Sequence, residues 1–96
     1  MKVQILGEAQ QDLAGGYRFY ENKVAGLGDY FLDSLFSDID SLQFCAGIHA
    51  KYFGYNRLLS KRFPFAVYYR IESGLASVYA VLDCRRDPSW IRDRLT

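Results

Sequence analysis

KRFPFAVYYRIESG, Lys61 to Gly74, is the stretch that decides the fold. It reads as a β-strand running into a turn, yet large apolar side chains occupy both of its faces. Ser73-Gly74 makes a two-residue connection with glycine in second place, which suits a type I′ hairpin turn. Such a turn pairs Glu72 with Leu75 and fixes every pair counted outward from them. One face then carries Phe65, Val67, Tyr69 and Ile71 beside Leu82, Ala80, Val78 and Ala76. The other carries Ala66, Tyr68, Arg70 and Glu72 beside Val81, Tyr79, Ser77 and Leu75, with Tyr68 across from Tyr79. A cross-strand aromatic pair of that kind contributes roughly 0.2–1 kcal/mol over Ala–Ala.

The flanks supply what covers the first face. Before the hairpin, Arg57 to Phe63 reads as another strand, and the loop-like AGIHAKYFG precedes it. His49, the only histidine, is expected to face solvent in that loop. Lys2 to Leu6 alternates as a short strand. Ala9, Leu13, Tyr17, Tyr20 and Val24 then recur at helical spacing, predicting a helix over 8–24. Gly15 and Gly16 interrupt it, marking a kink or a close approach of another backbone. After Gly26-Leu27-Gly28, the stripe Leu27, Phe31, Leu35, Ile39 and Leu42 predicts a second helix over 28–45. The short connection makes the two an antiparallel hairpin. The expected fold is α+β: one domain over 1–96, a strand and a helical hairpin packed on one face of an antiparallel sheet (β-α-α-β-β-β), closed by a short C-terminal helix.

In that helix Asp87 caps and Pro88 takes the first position, which leaves Arg85 and Arg86 free. With both long helices committed to the first sheet face, the second is expected to be open. Tyr68, Arg70, Tyr79 and Val81, flanked by Arg85 and Trp90, then form a surface for another molecule.

Composition narrows the classes. Half of the 96 residues are hydrophobic and the net charge is only +1, which argues against a general nucleic-acid binder. The charge is nonetheless polarised. Residues 1–50 hold three basic residues against seven acidic ones, and residues 51–96 hold nine against four. Cys45 and Cys84 have no metal-ligand spacing, so neither a zinc site nor a disulfide framework is expected. No metal cluster, phosphate loop or nucleophile triad is present, and no cofactor is expected. No apolar run approaches the roughly 20 residues of a membrane span, and the N-terminus lacks a signal-peptide pattern. A reducing cytoplasm fits best.

The order strand, helical hairpin, three antiparallel strands resembles the RelE/ParE toxin superfamily of type II toxin–antitoxin modules. The segments EAQQDL, GLGDYFLDSL, RLLSKRFPFAVYYRI and VLDCRRDPSWIRDRL carry the resemblance over nearly the whole chain. RFPFAVYYR and RRDP are most similar to the ParE branch. The resemblance implies a cytoplasmic growth inhibitor, a cognate antitoxin that wraps and silences it, and oligomers formed with that antitoxin. ParE-type members act on DNA gyrase by binding, as in plasmid stabilisation. RelE-type members are ribosome-dependent mRNA endoribonucleases, and the resemblance then points to Arg57, Lys61 and Arg86 as catalytic candidates. Against that alternative, Ala66 stands where such members carry an arginine. No histidine or tyrosine follows Arg86 to act as acid or base. In the other direction, Asp83 replaces the histidine of many ParE-like chains.

Overall fold

Both central residues of the hairpin turn adopt positive φ, 53° at Ser73 and 73° at Gly74, as a type I′ turn requires. The turn joins β4 (Phe65–Glu72) to β5 (Leu75–Asp83) in a computed structural model that describes all 96 residues. β3 (Tyr55–Leu59) pairs antiparallel with β4, and a two-residue β2 (Lys51–Tyr52) pairs with β3 at the edge. β1 (Lys2–Ile5) lies beside β5 and runs parallel to it, giving the order β1-β5-β4-β3-β2. The sheet is thus mostly antiparallel, with one parallel edge.

Register holds near the turn and then slips. Glu72 pairs with Leu75, Ile71 with Ala76 and Tyr69 with Val78, as the turn dictates, and Tyr69 and Val78 are fully buried. Beyond them a bulge leaves Tyr79 unpaired, so Tyr68 faces Ala80 and Val67 faces Val81. The expected Tyr68–Tyr79 pair does not form. One extra residue flips every side chain that follows. Val81 turns inward to the main core, while Ala80 and Leu82 turn outward beside Ala66 and Tyr68.

The helical layer covers the inner face. α1 spans Gly7–Glu21 and α2 spans Leu27–Asp40, followed by the single turn α3 (Leu42–Cys45). The first stripe buries Ala9, Leu13, Gly16 and Tyr20, but the helix ends before Val24, which is exposed. The second helix breaks at Ser41, whose hydroxyl donates to the Asp38 carbonyl at 2.6 Å. Tyr20, Phe31, Phe63 and Phe65 form an aromatic knot between hairpin and sheet, with centroids 4.9–5.2 Å apart for Phe31–Phe65 and Phe31–Phe63. α1 runs unbroken through its glycines. Gly16 is there because a Cβ would overlap the Phe31 ring, and Gly28 because a Cβ would lie 2.8 Å from the Tyr17 carbonyl oxygen. Both let the helices approach closely.

Glu21 closes the hairpin. Its carboxylate accepts from Gly26 N–H at 3.0 Å and Gly28 N–H at 2.9 Å, satisfying donors at the start of α2 where the helix dipole favours an anion. Glu21→Ala is expected to cost about 1 kcal/mol, the usual value of an N-terminal cap. Urea unfolding followed by far-UV circular dichroism measures it, and an unchanged midpoint would remove the cap from the account.

The second sheet face is not left to an outside molecule over its whole length. α4 (Pro88–Leu95) starts at its expected cap, with Asp87 accepting from Ser89 N–H at 2.8 Å. It lays Leu95, Ile91 and Trp90 over Ala66, Tyr68, Ala80 and Leu82. Asp12 of α1 ties this cover to the sheet. Its carboxylate takes both terminal nitrogens of Arg94 at 2.9 Å and the Val81 N–H at 3.0 Å. The pairing raises the Arg94 pKa further above its already high value.

Candidate functional site

α4 divides the outer face in two. Its half is a small second core in which Tyr68 is 3% exposed and Ala66 fully buried. The half near the hairpin turn stays open and is built from aromatic and arginine side chains. Tyr55 and Tyr79 meet edge to face at 5.2 Å. The Arg70 guanidinium lies 4.1 Å from the Tyr55 ring and 5.4 Å from the Tyr79 ring, while its Nε donates to the Gly54 carbonyl at 3.3 Å. Arg57 stacks 3.7 Å over Tyr52. Neither arginine has an ion-pair partner, so both present charge to whatever docks.

The bulge leaves this arrangement on the outer face and changes the ladder partner beside it. By leaving the ladder, Tyr79 keeps its ring on the outer face, and its hydroxyl donates to Glu72 at 2.7 Å. That bond to a carboxylate raises the Tyr79 pKa, so the phenol stays protonated. Burial raises the pKa of Tyr68 in the same direction, against the nearby charge of Arg57.

The residues expected at the partner surface therefore separate. Arg70 and Tyr79 stand on the open half, and Trp90 is half-buried on α4, packed against the second core. Tyr68 and Val81 are not on the surface: α4 covers Tyr68, and the bulge sends Val81, 2% exposed, into the main core. Arg85 is not free either. Its Nε and terminal nitrogen bind both oxygens of Asp83, at 3.0 and 2.7 Å. That contact holds the Asp83 carboxyl below the usual carboxylate range. Asp83 thus acts as the anchor of the turn into α4.

Of the three candidate catalytic cations, Lys61 stands apart from the other two. Arg57 pairs across the ladder with Tyr68 and lies over the Tyr52 ring, near enough to Cys84 for its charge to act on that thiol, and Arg86 stacks 3.8 Å from the Trp90 ring. Lys61 lines a cleft of about 380 Å³ on the helical side with Tyr30, Ser34 and Asp38, and neither other cation borders it. Asp38 itself is buried and accepts from Ser60 Oγ at 2.7 Å.

His49 is half-buried where solvent exposure was expected. Its Nδ1 meets the hydroxyl of Tyr69, which also accepts from Gly47 N–H at 2.9 Å. Burial lowers the histidine pKa, favouring the neutral ring, whose Nδ1 can accept a hydrogen bond from the phenol. The contact pins the 46–50 loop from the helical side, because Tyr69 points inward. Both cysteines are free thiols, and burial raises the Cys84 pKa. Sequence reasoning missed Tyr55 and Tyr52 as site residues. The aromatic-rich YFGY run was their only signal, and nothing local says which sheet face each ring takes.

No helix is long and apolar enough to cross a membrane. No family model matches the sequence, and no curated protein matches it. Among solved structures, the fold is similar to a chain of the chromosomal ParDE TA system from P. aeruginosa. The two superpose with a TM-score of 0.77 at 19% identity, over 84% of this chain and 92% of the other. At that identity the likeness establishes a shared fold.

Proposed function

We propose that the chain is the toxin of a type II toxin–antitoxin pair, a ParE-like growth inhibitor that acts in the cytoplasm on DNA gyrase. A cognate antitoxin silences it by docking on the open outer half of the sheet. The observation that carries this proposal is the outer face itself, where Arg70 lies between Tyr55 and Tyr79 and Arg57 over Tyr52, neither arginine in an ion pair. Cleavage of RNA through its 2′-hydroxyl needs a proton acceptor and a cation aimed at one phosphate. A stacked array of tyrosines and unpaired arginines needs neither to hold a protein. The ParDE-like fold supports the same assignment.

In this scheme Arg57 and Arg70 pair acidic side chains of the antitoxin, and Tyr79 and Tyr55 supply flat apolar contact. The antitoxin segment folds on docking, as small disordered inhibitors do. Inducing the chain alone is expected to arrest growth with DNA synthesis failing before bulk protein synthesis. Supplying the small protein encoded beside its gene restores growth. Protein synthesis failing first would favour the mRNA-cleaving alternative, and no arrest at all would remove the toxin assignment.

A further inference from the structure

The two glycines of α1 pose different problems. Gly16 is required by Phe31, whereas a Cβ at Gly15 would find nothing nearer than an Arg18 nitrogen at 4.0 Å. A glycine in a helix interior destabilises it relative to alanine, and packing within the chain offers no compensation here. Gly15 instead floors a cleft of about 370 Å³ between α1 and α4, walled by Phe19 and Trp90 and edged by Arg86. Phe19 is 48% exposed and Trp90 half-buried, so the walls are apolar and unfilled.

The charges of the cleft are nearly all matched. Asp12 binds Arg94, and Asp83 binds Arg85. Arg86 alone makes no ion pair; its guanidinium lies over Trp90, 3.8 Å from the ring centroid. The cleft therefore offers a bare backbone floor, two aromatic walls and one unmatched cation.

We infer that the α1–α4 cleft is a docking site for a segment of the antitoxin that seats an apolar side chain on Gly15 and a carboxylate on Arg86. This rests on the toxin–antitoxin assignment and adds a second contact, around the edge of α4 from the open outer half. Glycine at position 15 keeps the floor clear, and Trp90 orients the arginine that reads the acid.

The test measures the affinity of the purified chain for the protein encoded beside its gene, by isothermal titration calorimetry. Gly15→Gln places a good helix former in open space, so its melting temperature should equal or exceed that of the native chain. Its affinity should nevertheless fall by about tenfold or more, the scale of losing one well-seated interface contact. Arg86→Glu, which breaks no ion pair in the fold, should lose a similar factor and decides alone if Gly15→Gln misfolds. Native-like affinity in a folded Gly15→Gln and in Arg86→Glu overturns the inference while leaving the antitoxin assignment standing. No binding by the native chain overturns that assignment and this inference together. Self-association lost in Gly15→Gln with antitoxin binding intact would give the cleft to a second copy, also against the inference.

Discussion

Phe31→Ala is expected to remove about 3–5 kcal/mol of stability, the usual cost of truncating a fully buried phenylalanine. Domains of this kind have only about 5–15 kcal/mol in total, so the variant should sit near its unfolding midpoint at physiological temperature. The size of the effect follows from position. Phe31 touches Phe63 and Phe65 edge to face and lies over the Gly16 gap in α1. α2 therefore loses its attachment to α1 and to the sheet together. Gly16→Val attacks the same contact from the other side and should destabilise by overpacking, by about 1–3 kcal/mol. Chemical denaturation measures both. A loss below 1 kcal/mol in Phe31→Ala would mean that the aromatic knot is not the centre of the fold.

The second large effect is expected at Asp12. Its carboxylate is the one group that bonds α1 to both β5 and α4. The side chains of the pair are 27% exposed at Arg94 and 13% at Asp12, so the ion pair is worth less than a fully buried one. Asp12→Ala also strands the Val81 N–H, and the two losses together are expected to cost about 2–3 kcal/mol. The local signature matters more than the total. Amide exchange across 88–95 should accelerate well beyond the global change, and Trp90 emission should shift to the red as α4 lifts. Asp12→Asn keeps an acceptor for Val81 and should fall between. Unaltered exchange in α4 would show that Leu95 packing, not Asp12, holds it down.

Much of the fold was legible because local chemistry and burial agreed. Ser73-Gly74 required a type I′ turn, and the stripes through Leu13, Tyr20, Phe31, Leu35 and Ile39 required two amphipathic helices. The bulge at Tyr79 was not legible. Bulges marked by glycine announce themselves, whereas this one sits in LASVYAVLD with no residue that demands it. Its reward is non-local: Val81 joins the main core, and its N–H meets Asp12 of a distant helix. Reading the strand without it placed Val81 and Leu82 on each other's faces and paired Tyr68 with Tyr79.

The error at the candidate site has the same origin. Trp90, Ile91 and Leu95 were visible as a short helix with an apolar side. An eight-residue helix looks too small to cover a sheet face, and it covers only half. Which half depends on where Leu82 and Tyr68 point, and so on the bulge. Arg70 lies close to the turn, where the register needed no correction, and Tyr79, the bulged residue itself, still faces outward beside it. Lys61 could not be separated from Arg57 by sequence, because side-chain direction after β3 is set by the irregular SKRFP connection.

The central claim, a protein that inhibits by binding and cuts no RNA, is tested most directly by a paired measurement on the purified chain. DNA gyrase supercoiling is followed with added protein, beside primer extension on ribosome-bound mRNA. The account predicts inhibited supercoiling and no new mRNA ends. Codon-phased cuts that vanish in Arg86→Ala, with gyrase unaffected, would contradict it and make Arg57, Lys61 and Arg86 a catalytic set after all.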